Sequence, residues 1–466
     1  MKKIITSAIT IFICLYSVTF FAQDVDTEYG GEFQTEKNDA AHPCATPELY
    51  KTMEKQIAEN CLKLGINNAS HKNAVTTTFN WPLKMANGLN DCSYYYVANY
   101  LDQDTSAGNI KDYLCGTQTY DTHQGTDITL SPYPFYKVDN NQVEVIAAAT
   151  GTIVTKVDGN FDKNCAANNL TPNYIIVQHA DGSCAIYLHM KLNSLTAKVV
   201  GQTVVTGEYL GVAASSGSSS GPHLHFEVWA GVTVSTLNDA WTGACNTKNA
   251  FSWWVSQKPK TEPALVKIQV NTIAPVFPAC PTTETINEDS CFAPGATAKF
   301  YIFIRNETTG LVANMRIISP GGATYSSWVH NSNNTYISPS YYLMNRVLPA
   351  TAGTYTFEAT YNNIVCTKQF TVNCNGMSVS EINAAANLQA YPNPFKDETI
   401  LKISANIKIE NAELKLFDVL GNEARIITGI NAAEVRIERK NLSAGVYFYK
   451  LIQNNRVLAT GKIVAE

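Results

Sequence analysis

The chain has 466 residues, of which 16% are charged, and a formal net charge of −5 at pH 7. At about 150 residues per domain, this length allows about three domains. The mildly acidic balance offers no basic patch, which argues against nucleic acid or an anionic lipid surface as a partner. Few charges with abundant Tyr, Asn, Thr and Ser indicate a mainly β, extracellular protein.

The amino terminus predicts a secretory signal peptide over residues 1–22. Lys2 and Lys3 precede an apolar stretch from Ile4 to Phe21, and the small residue Ala22 follows it. The alternative is an uncleaved membrane anchor, since a stretch of ~18 residues is just long enough to span a bilayer. Hydroxyl side chains dilute the stretch and favour cleavage, so no stable membrane insertion is expected afterwards.

The N-terminal region, residues 23–90, contains one predicted helix. Thr46 suits the N-cap, Pro47 suits the first helical position, and Gly65 is expected to end the helix. Apolar residues recur at helical spacing between these signals, namely Leu49, Met53 and Ile57. Because the helix separates Cys44 from Cys61, these two cysteines are not expected to form a disulfide with each other.

The next region, residues 91–256, holds four of the eight histidines in three short motifs. In the first motif, His123 and Asp127 stand four residues apart. That spacing could be one face of a helix, but Gly125 and the flanking Thr and Ile residues favour a loop that enters a strand. Taken alone, this motif has an ordinary explanation as a hydrogen-bonded pair on the surface.

The other two motifs lie further along the same region. Tyr187 and His189 are predicted to share one face of a strand. His223 and His225 follow Gly-Pro in a short apolar run, and a strand would place them side by side on one face. Histidine and aspartate are good zinc ligands, and a catalytic zinc site commonly has three protein ligands and a water. The three motifs together therefore predict a zinc site beside catalytic histidines.

At these residues the chain resembles the lysostaphin-type zinc metalloendopeptidases, which cut peptide bonds in bacterial cell walls. The family pattern is His-x-x-x-Asp, then Tyr-x-His, then His-x-His within Gly-Pro-His-Leu-His-Phe, and every part of it is present. The resemblance implies that His123, Asp127 and His225 bind Zn²⁺. It also implies that His189 and His223 are the catalytic residues, and which of the two is the general base stays open.

The resemblance spans roughly residues 115–230 and implies a secreted peptide-bond hydrolase. In such an enzyme a zinc-activated water, assisted by the two histidines, attacks the peptide bond. The expected substrates are peptidoglycan cross-link peptides or Gly-rich extracellular proteins. The alternative is a non-catalytic cell-wall-binding or adhesin protein on the same fold. Residues 23–90 are either a pro-segment that covers the groove or a simple lead-in.

Residues 261–375 are predicted to form an immunoglobulin-like β-sandwich. Short runs of alternating apolar residues, such as 298–304 and 353–359, are typical of strands in such a sandwich. This domain is either a substrate-binding or wall-binding module or a spacer. The fold class expected for the whole chain is mainly β and multidomain, with an antiparallel β-sheet peptidase domain, two β-sandwiches and a short N-terminal helical region.

Residues 388–466 are predicted to form a small antiparallel β-sandwich. The segment contains Tyr391-Pro392-Asn393-Pro394 and ends in alternating apolar runs with Gly and Asn between them. It resembles the C-terminal sorting domain of the type IX secretion system of Bacteroidota. The resemblance implies the type IX secretion machinery as a partner and export through the periplasm and outer membrane, to the medium or the cell surface.

Twelve cysteines are present, and Cys14 lies in the predicted signal peptide, which leaves eleven in the exported chain. Exported proteins meet oxidising conditions, so several of the eleven are expected in disulfides, and the odd number leaves at least one thiol. Sequence does not fix the connectivity. Nearness along the chain makes four pairs plausible, namely Cys92/Cys115, Cys165/Cys184, Cys280/Cys291 and Cys366/Cys374.

Overall fold

A computed structural model describes residues 29–33, 44–66, 76–374, 389–403, 409–419, 421–453 and 456–466. The predicted signal peptide lies outside these ranges. Two compact units are present, one ending at Cys374 and the other starting at residue 375. None of the helices in the described ranges is long and apolar enough to cross a membrane.

Two α-helices lie in the described part of the chain. Helix α1 spans Pro47–Leu64 and begins and ends as predicted. The hydroxyl of Thr46 accepts a hydrogen bond from the backbone N–H of Leu49 at 3.2 Å, and Gly65 ends the helix with φ 67°. The left-handed φ explains why a glycine stands there. Helix α2 spans Pro134–Asp139.

Twelve strands precede the sandwich domain in the described chain. They are β1 (Tyr29–Glu32), β2 (Leu83–Met85), β3 (Tyr95–Asn99), β4 (Thr126–Leu130), β5 (Val143–Ile146), β6 (Gly151–Val157), β7 (Tyr174–Gln178), β8 (Cys184–Leu188), β9 (Thr203–Val204), β10 (Tyr209–Val212), β11 (His223–Trp229) and β12 (Leu237–Asn238). Eight of them form one antiparallel sheet in the order β3-β4-β11-β8-β7-β6-β9, with β12 beside β11, and β10-β5-β2 form a smaller sheet.

The two faces of the eight-stranded sheet pack against different hydrophobic clusters, because residues alternate between faces along each strand. Tyr187 and Phe226 belong to the main apolar core on one face. On the opposite face Met53 of α1 packs in a second cluster with Ile186 and Trp229. Helix α1 therefore covers one face of this sheet.

The second domain of the first unit is a two-layer β-sandwich. Its strands are β13 (Ala264–Asn271), β14 (Cys291–Phe292), β15 (Thr297–Arg305), β16 (Val312–Ile318), β17 (Thr324–Asn331), β18 (Ser340–Val347), β19 (Gly353–Tyr361) and β20 (Ile364–Val372). The sheets have the orders β1-β18-β15-β13 and β14-β20-β19-β16-β17. Phe300, Phe357 and Phe370 lie in the core between them. The predicted immunoglobulin-like sandwich is confirmed, and β1 from the N-terminal region adds an edge strand to it.

Four disulfides link distant parts of the first unit. They are Cys92–Cys366, Cys115–Cys245, Cys165–Cys280 and Cys291–Cys374. The first and third of these tie the eight-stranded sheet domain to the sandwich. A buried ion-pair cluster at the same junction places Lys137 Nζ 2.6 Å and Lys267 Nζ 2.8 Å from the two carboxylate oxygens of Asp91.

The disulfide pairs that were plausible from sequence are wrong. They were Cys92/Cys115, Cys165/Cys184, Cys280/Cys291 and Cys366/Cys374, and each of them joins neighbours along the chain. The fold instead brings together cysteines at least 83 residues apart. Cys44, Cys61 and Cys184 remain thiols, so the expectation that Cys44 and Cys61 do not pair is confirmed.

The second unit is a small β-sandwich, as predicted. Its strands are β21 (Gln389–Tyr391), β22 (Glu398–Lys402), β23 (Ala412–Phe417), β24 (Glu423–Ile430), β25 (Glu434–Glu438), β26 (Gly445–Gln453) and β27 (Arg456–Ala465). They form two sheets, β21-β22-β25 and β24-β23-β26-β27. Leu401, Leu414 and Leu451 are fully buried between them. With both sandwiches present, the mainly β, multidomain fold class is confirmed.

Candidate metal centre

The first motif lies in a loop that enters β4, as predicted. His123 precedes the strand, and Asp127 is its second residue. Gly125 between them passes close to β11, because a Cβ atom at this position would lie 2.7 Å from His225 Nε2 and 2.7 Å from the carbonyl oxygen of Phe226. A side chain at residue 125 would therefore displace His225.

The third motif begins strand β11, and its two histidines lie on the same face as predicted. Strands β11 and β4 are antiparallel neighbours, and their register places His225 directly opposite Asp127 and His223 opposite Thr129. Directly opposed residues on antiparallel strands are close enough for their side chains to interact. This pairing brings together residues that are 98 positions apart.

The middle motif differs from the prediction. Strand β8 ends at Leu188, and His189 follows it with φ 64°. Tyr187 points into the main core, where its hydroxyl accepts a hydrogen bond from the N–H of Ala148 at 2.8 Å. The expectation that Tyr187 and His189 share a strand face is wrong, because the left-handed backbone at residue 189 turns this imidazole to the side where His223 lies.

The ligand atoms of His123, Asp127 and His225 form a tight triangle. His123 Nε2 lies 3.1 Å from Asp127 Oδ1, His225 Nδ1 lies 2.9 Å from the same oxygen, and the two nitrogens are 3.2 Å apart. In a tetrahedral zinc site with metal–ligand bonds of about 2.0–2.1 Å, ligand atoms are roughly 3.3 Å apart. The triangle therefore has the size of one face of a zinc coordination tetrahedron.

Hydrogen bonds on the far side of each ring orient the lone pairs of this triangle. His123 Nδ1 donates to the carbonyl oxygen of Tyr100 at 2.7 Å, which leaves Nε2 as an acceptor in the neutral ring. His225 Nε2 lies 3.4 Å from Glu227 Oε2, which favours a proton there and a lone pair on Nδ1. Two lone pairs and a carboxylate oxygen then converge in a buried site, an arrangement that a divalent cation stabilises.

His189 and His223 form a second pair beside the triangle, with ring centroids 4.6 Å apart. His189 Nδ1 donates to the carbonyl oxygen of Ser216 at 2.6 Å, and His223 Nδ1 donates to that of Gly221 at 2.8 Å. Both Nε2 atoms are buried without a hydrogen-bond partner among the described residues, and His223 Nε2 lies 3.5 Å from Asp127 Oδ1. Both Nε2 atoms can therefore take up or give a proton at the site.

The Asp127 carboxylate dominates the electrostatics of the site. Burial would lower the pKa of His123, but the neighbouring Asp127 carboxylate outweighs burial and raises this pKa to about 9. Burial would raise the pKa of Asp127, but His123 and His223 hold it well below its ordinary value. Burial lowers the pKa of His189. Asp127 is therefore ionised, as a metal ligand must be.

Two site residues were not predicted from sequence. The thiol of Cys44, just before α1, has its Sγ within 4.8 Å of the ligand atoms of His123, Asp127 and His225. No sequence pattern fixes where α1 packs, so this cysteine carried no signal. Glu227, by contrast, stands two residues after His225 on the same strand face, and the alternation that identified the two histidines could have identified it as well.

Comparison with known proteins supports both resemblances. Residues 121–236 match peptidase family M23, and residues 389–466 match the secretion system C-terminal sorting domain. The chain therefore carries a peptidase family M23 domain followed by a secretion sorting domain, as the motifs predicted.

Individual relatives are similar over limited stretches. An uncharacterized metalloprotease of Buchnera aphidicola is 31% identical over 83 residues, which are 18% of this chain and 21% of that protein. The match spans about a fifth of that relative. The catalytic domain of the M23 protein EnpA from Enterococcus faecalis covers 29% of this chain and 80% of its own, at 21% identity and a TM-score of 0.19. The match to the catalytic domain of lysostaphin from Staphylococcus simulans covers 32% of this chain and 87% of that domain, at 23% identity and a TM-score of 0.20.

Proposed function

We propose that this protein is a secreted zinc metalloendopeptidase that hydrolyses peptide bonds in peptidoglycan cross-links or in Gly-rich extracellular proteins. The observation that carries the proposal is the buried triangle of His123 Nε2, Asp127 Oδ1 and His225 Nδ1, with atoms 2.9–3.2 Å apart. The match to a peptidase family over the residues that build this triangle supports the same reaction class.

His123, Asp127 and His225 would hold the zinc. Two neutral imidazoles and one carboxylate leave the loaded site with a net charge of about +1. When bound, the metal acidifies a water molecule and polarises the carbonyl of the peptide bond. The carbonyl oxygen of Tyr100 and the carboxylate of Glu227 hold the two ligand imidazoles in position.

His189 and His223 would move the protons of the reaction. Their Nδ1 atoms are fixed by backbone carbonyl oxygens, so each ring presents Nε2 at the site. One Nε2 would take the proton of the attacking water. The other would donate to the carbonyl oxygen as it gains negative charge, or to the leaving amine.

The substrate class rests on the motif resemblance and on the predicted route of export. The C-terminal sorting domain supports secretion, and peptidoglycan peptides and Gly-rich proteins are the peptide substrates that such a location and family imply. The type IX machinery would be the partner that exports the chain. A binding role on the same fold is the competing hypothesis, and the following experiment separates the two.

The test is to incubate the exported protein with purified cell walls and, separately, with a Gly-rich protein, and to identify new amino termini by mass spectrometry. We expect cleavage of at least one substrate, and loss of both zinc and cleavage in His225→Ala. Full hydrolytic activity in His225→Ala would contradict the proposal. If the exported protein retains zinc but cleaves neither substrate, and a Cys44→Ala variant that retains zinc is equally inactive, the result would favour the non-catalytic binding function.

A further inference from the structure

The metal centre is inaccessible to a peptide substrate in this structure. The triangle residues His123, Asp127 and His225 are at most 3% exposed, His189 is fully buried and His223 is 7% exposed. A peptidase must admit the carbonyl of its substrate to the metal and to the two catalytic histidines. The structure is therefore a closed form, and Cys44, just before α1, lies against this centre.

We propose that the thiolate of Cys44 is a fourth zinc ligand and that it keeps the full-length protein latent. The proposal rests on the zinc peptidase function proposed above and adds its regulation. Cysteine thiolate is a strong zinc ligand, and a zinc ion with four protein ligands has no position left for water. Catalysis then requires that Cys44 leave the metal.

The distances between Cys44 and the three triangle residues fit this role. Its Sγ lies with the ligand atoms of His123, Asp127 and His225 in one group whose members are all within 4.8 Å of one another. In a tetrahedral site with a Zn–S bond of about 2.3 Å, sulfur and nitrogen ligands are roughly 3.5 Å apart. The thiol is thus near enough to all three ligand atoms to complete the tetrahedron after a small movement.

The catalytic histidines give independent support. The ligand atoms of His189 and His223 form a second group with the same Sγ, again within 4.8 Å. Their Nε2 atoms are buried and have no hydrogen-bond partner among the described residues. Cys44 therefore lies close both to the triangle and to the two catalytic imidazoles, the groups that the attacking water and the substrate carbonyl must reach.

Helix α1 holds the cysteine in this position. It begins at Pro47, and its residue Tyr50 donates a hydrogen bond to Glu227 Oε2 at 3.0 Å, next to the ligand His225. Further along, Asn60 Nδ2 donates to the carbonyl oxygen of Val154 at 2.8 Å. The Tyr120 hydroxyl lies 2.7 Å from Cys44 Sγ. The hydrogen bonds of α1 and the contact with Tyr120 therefore hold the thiol at the metal centre.

Cys61 provides a matched control for Cys44. It is also a buried thiol, but it lies near the end of α1, where its Sγ donates to Gln178 Oε1 at 3.4 Å. Neither group of potential ligands around the triangle includes it. A change at Cys61 tests the cost of altering a buried thiol on α1 without changing the metal site.

The sharpest test uses cobalt as a spectroscopic substitute for zinc in the full-length protein. A thiolate ligand gives cobalt(II) an intense near-ultraviolet charge-transfer absorption. We expect this band in the wild type and in Cys61→Ala, and we expect it to be absent in Cys44→Ala although cobalt still binds. Chelator competition should show zinc binding to Cys44→Ala that is weaker by about tenfold or more.

The outcomes of the cobalt experiment separate the two proposals. Cobalt bound by the wild type without a band that depends on Cys44 would overturn the fourth-ligand proposal and leave the zinc site intact. No stoichiometric cobalt binding by the wild type would overturn both. The band in the wild type and in Cys61→Ala, with its loss in Cys44→Ala, would support the proposal.

Latency is tested by opening the site in two ways. The Cys44→Ala variant should cleave peptide at a rate roughly tenfold or more above the wild type, because the open form no longer competes with a bound thiolate. Iodoacetamide should activate the wild type but not Cys44→Ala. It forms a bond between Sγ and carbon and releases iodide, and the resulting thioether has no charge with which to hold the metal. Equal activity of Cys44→Ala and the wild type, with both cleaving, would overturn latency.

Discussion

Two buried carboxylates in this protein each meet a histidine, and their surroundings are opposite. Oδ1 of Asp127 in the candidate metal centre lies 2.9 Å from His225 Nδ1 and 3.1 Å from His123 Nε2, which present lone pairs when their rings are neutral, as metal binding requires. Glu307 in the sandwich is also fully buried. Asp127 Oδ1 faces two nitrogens that act as acceptors when metal is bound, while Oδ2 accepts a hydrogen bond from Asn99 Nδ2 at 3.0 Å. Both oxygens of the Glu307 carboxylate accept from donors.

Donors account for every described contact of the Glu307 carboxylate. His330 Nε2 lies 2.8 Å from Oε1, while the hydroxyls of Ser340 and Tyr342 donate to Oε2 at 2.5 and 2.8 Å. A buried carboxylate with this many donors is stable without a cation. The comparison indicates that the partners of the carboxylate oxygens separate a candidate metal ligand from a structural acid, whereas burial and a nearby histidine do not.

The largest expected effect comes from removing the negative charge of Asp127, and the same change at Glu307 is the control. Asp127→Asn should abolish zinc binding and peptide cleavage, because an amide is a poor ligand and its NH₂ group would donate into the triangle. Glu307→Gln should leave zinc content and cleavage at wild-type values. Elemental analysis and the peptide assay on both variants check this. If Glu307→Gln lost its zinc while Asp127→Asn kept it, the roles assigned to the two acids would be wrong.

The next effect separates catalysis from metal binding within the centre. In the Cys44→Ala background, where the site is open, His189→Ala and His223→Ala should each lower cleavage by about 10²-fold to 10⁴-fold, the usual contribution of general acid–base catalysis. Both variants should still bind one zinc per chain. Measurement of kcat alongside metal content checks the prediction. Loss of zinc together with activity would show that these histidines are ligands.

A smaller effect is expected at the glycine beside the ligand His225. In Gly125→Ala the new Cβ would lie 2.7 Å from His225 Nε2, so the ring must move and zinc affinity should fall by about tenfold or more. Gly321→Ala is the control, since nothing lies within 4 Å of a Cβ built there. Competition with a chromophoric chelator measures both. Unchanged affinity in Gly125→Ala would mean that the loop can shift without moving the ligand.

The smallest effect concerns the acid sensitivity of the sandwich. Burial would raise the pKa of Glu307, but the donors His330, Ser340 and Tyr342 outweigh it and lower the pKa. A carboxyl whose pKa is lowered by folding stabilises the fold above its unfolded pKa of about 4.3, and this contribution is lost as the pH falls through the folded value. Glu307→Gln should cost about 2 kcal/mol at pH 7 and should lose less stability than the wild type on acidification.

Thermal unfolding of the wild type and of Glu307→Gln between pH 7 and pH 3 measures this difference. The gap between their Tm values should narrow as the pH falls below about 4. A constant gap would show that the donors around Glu307 do not favour its ionised form. Because other carboxylates titrate in both proteins, only the difference between them is informative.

The sequence predicted which residues come together in the candidate metal centre, because they lie in short motifs whose local geometry is fixed. Residues two apart on a strand share a face, which placed His223 and His225 together, and Gly125 indicated a loop before β4. The same alternation failed at His189, because the strand ended one residue earlier and the backbone turned. Local signals also located α1 correctly, from Thr46 at its N-cap to Gly65 at its end.

What the sequence could not predict are contacts between distant segments. Two of the four disulfides, Cys92–Cys366 and Cys165–Cys280, join the sheet domain to the sandwich, so their pairing depends on how these two domains pack. Cys44 is a further example, since nothing near it in sequence indicates that α1 covers the sheet face bearing His225. Whether the N-terminal region covers the site or merely precedes it was left open for the same reason.

The central claim is that His123, Asp127 and His225 bind one zinc ion, and its most direct test is the zinc content of the purified full-length protein. After dialysis against metal-free buffer, elemental analysis should give about one zinc per chain for the wild type and none for His225→Ala. Equal zinc content in the two proteins, or a wild type that binds no zinc when supplied with it, would contradict the account.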